Sequence, residues 1–340
     1  MTMKIAILAP VAWRTPPRKY GPWEQVCSNI TEGLVKRGLD VTLFATGDSL
    51  TNGKLQSICC SGYEEDKETD AKVAEYMHIS FLMEQAEDFD IIHNNFDFPP
   101  LAYSRLIKTP MLTTIHGFSS PKIIPVYKRY NDINHYVSIS YADRDKGLEY
   151  IANIYNGIDS QAFTLQDDPG DYLLFFGRIH PDKGTREAIE IALQAKMKLK
   201  IAGFIQDQRY WQEQVAPMVD NQQIVYVGNA GPARRDQLLG GAYALLHPIN
   251  FNEPFGLSVA ESMFCGTPAV AFERGSMGEL VEHGKTGFLV ADIQEAVDIL
   301  PQVAGIDRCS CRRSAETRFS IDKMTDEYLA VYGQILGARH

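Results

Sequence analysis

At 340 residues the chain is long enough for about two domains of roughly 150 residues each, and its formal net charge of −10 argues against a nucleic-acid partner, whose phosphates are gripped mainly by Lys and Arg. A content of 45% hydrophobic and 22% charged residues is that of an ordinary globular protein. No uninterrupted apolar run approaches the roughly 18 residues of a membrane-spanning helix, and no basic, apolar and small-residue series of an export signal opens the sequence.

In chain order, KIAILA (4–9), DVTLFA (40–45), DIIH (90–93), MLTTIH (111–116) and HYVSIS (135–140) predict strands that are apolar throughout, as strands covered on both faces are. Between the first two, Glu24 to Arg37 repeats Val26, Cys27, Ile30, Leu34 and Val35 at helical spacing and stops at Gly38. The turn-forming stretch 156–171 is expected to be an interdomain linker. Beyond it the alternation restarts, with strands expected at 172–177, 198–203, 222–228, 243–248 and 267–272. The amphipathic segment from Ile321 to Leu336 follows no strand.

Strand–helix alternation predicts an α/β fold with two Rossmann-like, doubly wound parallel sheets. Open sheets of this kind bind ligands outside the carboxyl ends of their strands, which predicts a cleft faced by both domains. The expected division is an N-terminal acceptor-side domain over 1–160, a C-terminal donor domain over 161–318, and a final helix over 319–340 that crosses back to the N-terminal domain. The six cysteines match neither paired zinc ligands nor a small disulfide framework, so no metal site and a reducing cytoplasmic location are expected.

A dinucleotide-binding enzyme is excluded because no GxGxxG follows a candidate strand. HGKTG (283–287) lacks the earlier glycine of a phosphate-binding P-loop, since position 279 is Glu279; it reads as a turn between short strands.

NEPFGLSVAESMFCGTP (252–268) carries more information. A helix beginning near Gly256 or Leu257 aims the amides of Phe255, Gly256 and Leu257 at an anion. Glu253 then lies on the preceding loop and Glu261 just over one turn inside, about 10 Å apart by helical rise. Each carboxylate can accept two hydroxyl hydrogen bonds, as a sugar offers. On spacing alone the same pair reads as a helix cap and a solvated acid. In FFGRIHPDKG (175–184), Arg178 and Lys183 bracket a loop at a strand end, where two cations can stabilise a departing diphosphate. RKYGPWEQV places Gly21 before a helix, and TTIHG places His116 at a strand end, where an imidazole can meet a sugar hydroxyl.

Together YGPWE, LVKRGLDVTLFATGDS, TTIHG, SISYADR, YNGID, GRIHPDKG and EPFGLSVAESMFCGTPAVA, in this order, resemble the family 4 glycosyltransferases, retaining enzymes of the GT-B fold (glycosyl transferases group 1). The resemblance runs from about residue 4 to residue 335. It implies a hexose moved from a nucleotide diphosphate sugar of UDP or GDP type to a hydroxyl acceptor, without cofactor or metal. Arg178 and Lys183 would bind the diphosphate, Glu253 the donor-sugar hydroxyls, Phe255, Gly256 and Leu257 the sugar and phosphate through their amides, and Glu261 the ribose. His116 would contact the donor sugar, and Gly21 would approach the diphosphate. Where the family has a second glycine in that first loop this chain has Pro22, which cannot donate an N–H but suits the first position of a helix.

The competing readings are another GT-B enzyme, such as a sugar-nucleotide epimerase or phosphorylase, and a non-catalytic sugar-nucleotide module. The acceptor is expected to be a sugar, lipid-linked or small-molecule hydroxyl. Arg14, Arg18 and Lys19 could meet an anionic acceptor, with a solvated loop as the plainer reading. PKIIPVYKRY (121–130) has the mix of apolar, aromatic and basic residues that touches anionic membranes, with a partly buried helix as the default.

Overall fold

The apolar runs of the first half form one parallel sheet in the computed structural model, which describes residues 2–117 and 120–337. Its strands are β1 (Lys4–Leu8), β2 (Asp40–Phe44), β3 (Lys54–Gln56), β4 (Ile91–Asn94), β5 (Met111–Ile115), β6 (His135–Ser138) and β7 (Tyr150–Asn153), in the order β3-β2-β1-β4-β5-β6-β7. The central strands are buried on both faces, which is why they read as continuous apolar runs. Lacking that cover, the edge strands β3 and β7 carry no such run and were not expected from the sequence.

Helix α1 (Pro22–Lys36) starts on Pro22, at the position where a missing amide costs nothing. Asp70 caps α2 (Ala71–Met83) by accepting from the Val73 amide at 2.9 Å. Helix α3 (Ile124–Tyr130) buries Ile124 and Tyr127 in the core and exposes Lys128 and Arg129, the arrangement of a partly buried helix.

Residue 157 ends this part of the chain, but the compact unit is completed by the segment that resumes at Ile321. The C-terminal helix Ile321–Gly337 buries Met324, Tyr328, Val331, Tyr332 and Ile335, and Thr325 packs against Gly33 of α1. Its polar contact with the sheet is a buried relay. His93 on β4 binds the Tyr332 hydroxyl through Nδ1 and Thr114 through Nε2, both at 2.7 Å, and Thr114 meets the Tyr328 hydroxyl at 2.8 Å.

Residues 158–320 form the second unit. Its sheet has the order β10-β9-β8-β11-β12-β13, all parallel. The strands are β8 (Tyr172–Phe176), β9 (Lys198–Ala202), β10 (Ile224–Gly228), β11 (Ala244–His247), β12 (Ala269–Phe272) and β13 (Gly287–Val290). Among its helices are α4 (Thr185–Gln194), α5 (Pro232–Gly240), α6 (Leu257–Phe264) and α7 (Arg308–Phe319).

The stretch expected as a linker is, from Ile158 onward, part of this second unit. Phe163 is buried, the Thr164 amide donates to Asp236 at 2.8 Å, and Arg312 of α7 donates to the Phe163 carbonyl at 2.9 Å. Turn-forming residues here serve to lay irregular chain on a surface rather than to span a gap. The two ends of the unit meet: Ile158 bridges Ser320, and its amide donates to the Phe319 carbonyl at 2.7 Å.

Each sheet reverses its strand order once, between β1 and β4 and between β8 and β11. Such switch points open a crevice at the carboxyl ends of the flanking strands, and the candidate site residues of each unit fall there.

Candidate active site

In the second unit, two loops meet over the switch point. The loop after β8 carries Arg178 and then a short turn, Pro181–Lys183, capped by the His180 ring, which accepts from the Asp182 amide at 3.3 Å. Gly184 closes the turn at φ 71°, and a Cβ there would lie 1.8 Å from the Pro248 carbonyl oxygen, so both its backbone and its neighbour demand glycine. The loop after β11 thus packs directly on the loop after β8, and the Asn250 amide donates to the Asp182 carbonyl at 2.7 Å. On its other side this second loop rests on Gly275, where a Cβ would come within 2.3 Å of the Glu253 nitrogen. Buried Ser276 fixes it further, its amide donating to the Glu253 carbonyl at 2.9 Å and its hydroxyl to the Phe255 carbonyl at 2.7 Å.

This packing brings Lys183 and Glu253 together, with Nζ 2.5 Å from Oε2 and the ammonium 4.6 Å from the centre of the Phe251 ring. His247, the last residue of β11, brings Nε2 to 3.4 Å from the same carboxylate oxygen. Burial alone would raise the Glu253 pKa, but Lys183 and His247 outweigh it and hold the carboxyl at about 2. Glu253 is therefore an anion throughout the neutral range. The sequence marks Lys183 as a cation at a strand-end loop but announces no partner for it. In the fold its charge is shared with Glu253, while Arg178 is held by the neutral carboxamide of Gln206.

Helix α6 begins at Leu257 with Gly256 before it, as expected from the sequence. The amides of Val259 and Ala260 donate to the Gly256 carbonyl at 3.0 and 3.2 Å, whereas helix geometry gives those of Leu257 and Ser258 no acceptor within the helix. Glu261 is buried, not solvated, and pairs with Arg235 of α5 at 3.1 Å. Burial raises its pKa and Arg235 opposes the rise. Arg235 itself lies 5.3 Å over the Phe163 ring. Arg235, His247, Phe251 and Gln206 were not singled out in the sequence. His247 was legible as a polar residue ending an apolar strand; Arg235 had no local signal, because its partner lies on another helix.

In the first unit the switch point gathers Gly21, Glu24, Asn95 and His116. His116 follows β5, is buried, and pairs its Nε2 with Asn95 Oδ1 at 2.9 Å. Trp23 stacks on the ring at a centroid distance of 5.7 Å and an interplanar angle of 29°. Burial lowers the His116 pKa to about 3, so any contact it makes at neutral pH is that of an uncharged imidazole. Gly21 sits just before α1, close to the Glu24 carboxylate. Glu24 accepts from the Trp13 amide at 3.2 Å and so ties the loop after β1 to the helix. The loop arginines are occupied: Arg18 pairs with Asp48 at 3.0 Å and Glu65 at 2.8 Å, and Arg14 donates to the Pro16 carbonyl at 2.8 Å.

Burial raises the Glu24 pKa from 4.5 to about 7, with nearby Glu65 adding to the rise and amide hydrogen bonds opposing it. The folded chain therefore keeps this proton through a range in which the unfolded chain has released it. Stability falls as pH rises from about 4.5 to 7, by an amount on the order of 3 kcal/mol. Asp97, raised to about 6 by burial, adds a slope of the same sign. Glu24→Gln keeps an oxygen for the Trp13 amide and cannot ionise. Its melting temperature is expected to exceed that of the parent at pH 8 and to approach it at pH 5; parallel melting curves across that range would remove Glu24 as the cause.

Among the described residues no group of three or more His, Cys, Asp or Glu side chains is placed to hold a metal ion, and no helix is long and apolar enough to cross a membrane. All six cysteines are free thiols.

Two parallel Rossmann-like sheets with charged loops at their switch points are an architecture that the GT-B glycosyltransferases share with other α/β proteins that bind ligands at such points. Residues 158–301 match the family model for glycosyl transferases group 1, and residues 24–162 match that for glycosyltransferase family 4. The chain belongs to this family of GT-B glycosyltransferases. It is 23% identical to an uncharacterized glycosyltransferase of Methanocaldococcus jannaschii over 85% of each chain. Among solved structures, it resembles sucrose-phosphate synthase from Thermosynechococcus elongatus with a TM-score of 0.79, at 17% identity over 99% of this chain and 100% of that one. It also resembles Anabaena HepE, solved in complex with UDP and glucose, with a TM-score of 0.75 at 21% identity over 97% and 99% of the two chains.

Proposed function

We propose that the protein moves a hexose from a UDP- or GDP-linked sugar to a hydroxyl acceptor, with retention of anomeric configuration and without a divalent metal. The observation that carries this reading is the junction of the loops after β8 and β11, which sets Arg178, Lys183, ionised Glu253 and the first turn of α6 around one switch point. Arg178, Lys183 and the amides of Phe255, Gly256 and Leu257 take the diphosphate; Lys183 is then shared between Glu253 and a phosphate oxygen. Glu253 accepts from hydroxyls of the donor sugar, and Glu261 from those of the ribose. His116 and Gly21, on the first unit, are assigned to the reacting sugar and the diphosphate.

The bond from the anomeric carbon to the phosphate oxygen breaks, the bond to the acceptor oxygen forms on the same face, and the acceptor proton passes to the departing phosphate. Cationic groups fixed at the diphosphate lower the barrier by stabilising charge as it develops there. HepE, with its UDP and glucose, supports the donor class, and the free cysteines suit a reducing cytoplasm.

Thermal-shift screening of UDP, GDP and ADP sugars, followed by product analysis with acceptors, tests this reading. A product formed without acceptor, or only with free phosphate, overturns it. EDTA is expected to leave the rate unchanged, whereas a loss restored by Mg²⁺ or Mn²⁺ overturns the metal-free part. Glu261→Ala is expected to weaken nucleotide binding by about tenfold or more, since it removes a charged hydrogen-bond acceptor. An unchanged nucleotide affinity assigns Glu261 to the Arg235 pair alone.

A further inference from the structure

The loop after β1 was the natural place to look for an anion receptor, because WRTPPRKYG carries three cations. In the fold both of its arginines are committed, Arg18 to two carboxylates and Arg14 to a backbone carbonyl. What this loop and the start of α1 present instead is aromatic surface. Trp13, Tyr20 and Trp23 are each partly exposed. Trp13 meets Tyr20 edge-on at 6.3 Å, and Trp23 lies against the uncharged ring of His116. Polar groups adjoin the rings: the Asn95–His116 pair, and the Glu24 carboxyl that accepts from the Trp13 amide.

We infer that this cluster is an acceptor subsite and that the acceptor is a neutral carbohydrate, bound with the C–H face of a pyranose on Trp23 and Trp13. The inference rests on the glycosyltransferase reading given above. A pyranose has apolar faces and a rim of hydroxyls. Its C–H bonds carry slight positive charge and pack on the negative face of an indole, while the hydroxyls need hydrogen-bonding partners at the ring edge. Flat, rigid aromatic rings supply such contact at little entropic cost. An anionic acceptor would need cations to meet it, and of the three in the loop both arginines are engaged, which leaves the exposed Lys19 as a single solvated charge of little binding value. A lipid would need a continuous apolar surface, whereas these rings are interrupted by a carboxyl, a carboxamide and an imidazole. The position, at the carboxyl ends of β1 and β4 where the strand order reverses, is where such a sheet takes ligands.

The chain has three tryptophans, and the third, Trp211, stands in the second unit against Tyr226. In the full-length Trp211→Phe variant, indole emission therefore reports on Trp13 and Trp23 alone. Titration with the methyl glycosides of glucose, galactose, mannose and N-acetylglucosamine, with and without UDP, is expected to change this emission for at least one of them. L-malate, inositol phosphate and phosphatidylglycerol vesicles are expected to leave it unchanged. Adding Trp23→Ala weakens the glycoside response by about tenfold, and Trp23→Phe, which keeps a flat ring, by less. In turnover assays Trp23→Ala raises the acceptor KM with the donor KM unchanged. A response to malate, inositol phosphate or vesicles but to no glycoside overturns the inference, and so does silence from all probes or a glycoside response unaltered in both Trp23 variants. The UDP thermal shift separates this from the donor reading: glycoside binding without a UDP shift leaves the subsite standing and removes the donor assignment.

Discussion

Lys183→Ala is expected to lower kcat by about a hundredfold to a thousandfold, the effect of deleting one preorganised group that stabilises developing charge. Two consequences of the same ammonium can be separated. Lys183 lies 2.5 Å from a carboxylate that is itself only 8% exposed, so its loss leaves the Glu253 anion with the His247 ring, 3.4 Å away, as the polar neighbour that remains on that oxygen. Breaking a buried pair in this way costs about 3–5 kcal/mol. The Glu253 pKa is depressed to about 2, so its contribution to stability is present above about 4.5 and is lost as pH falls towards 2. In Lys183→Ala that acid-side loss should start at higher pH. Lys183→Ala combined with Glu253→Gln removes the orphaned charge. Glu253→Gln alone is the reference for rate, since Glu253 is itself assigned to the donor sugar: if the charge on Lys183 serves catalysis, the double variant recovers stability but turns over well below Glu253→Gln alone. If the double variant turns over as fast as Glu253→Gln alone, Lys183 has only a structural part.

Tyr332→Ala is expected to destabilise the first unit by about 3–5 kcal/mol, the range for emptying a buried aromatic site. Tyr332 is fully buried on the C-terminal helix, and its hydroxyl is the partner of His93 Nδ1. Burial has already lowered the His93 pKa to about 3, so the ring cannot relieve the loss by taking up a proton at neutral pH. Tyr332→Phe keeps the ring and removes only the hydroxyl, and should cost about 1–3 kcal/mol for leaving a buried group unmet. Urea denaturation resolves both values. Equal costs for the two variants would mean that the relay through His93, and not the filling of space, dominates this contact.

The sheets were legible because strands covered on both faces must be apolar along their whole length. KIAILA and YLLFFG both become central strands, whereas KLQ at an edge carries no such mark. The start of α6 was legible because proline and glycine fix the chain direction next to a helix, and Glu261 followed by counting residues. Pairing was not legible. Lys183 and Glu253 are seventy positions apart, and nothing local to either announces that two loops cross there. Gly184 and Gly275 are the residues that bring those loops together, and each looks like an ordinary turn former in one dimension. The same blindness made Arg18 look available, since Asp48 and Glu65 reach it only through the fold.

The adjoining ends of the second unit have a practical meaning. Because Ile158 and Ser320 are bridged to each other, the segment between them is an insertion with a narrow neck, entered and left at one spot. Such a cassette can be exchanged between family members as one continuous piece, while α1 and the C-terminal helix keep the host core intact. Under the proposed assignment of the donor to the second unit, chimaeras cut at these two joints are expected to take sugar-nucleotide preference from one parent and acceptor preference from the other; a chimaera whose sugar-nucleotide preference follows the first unit overturns that assignment.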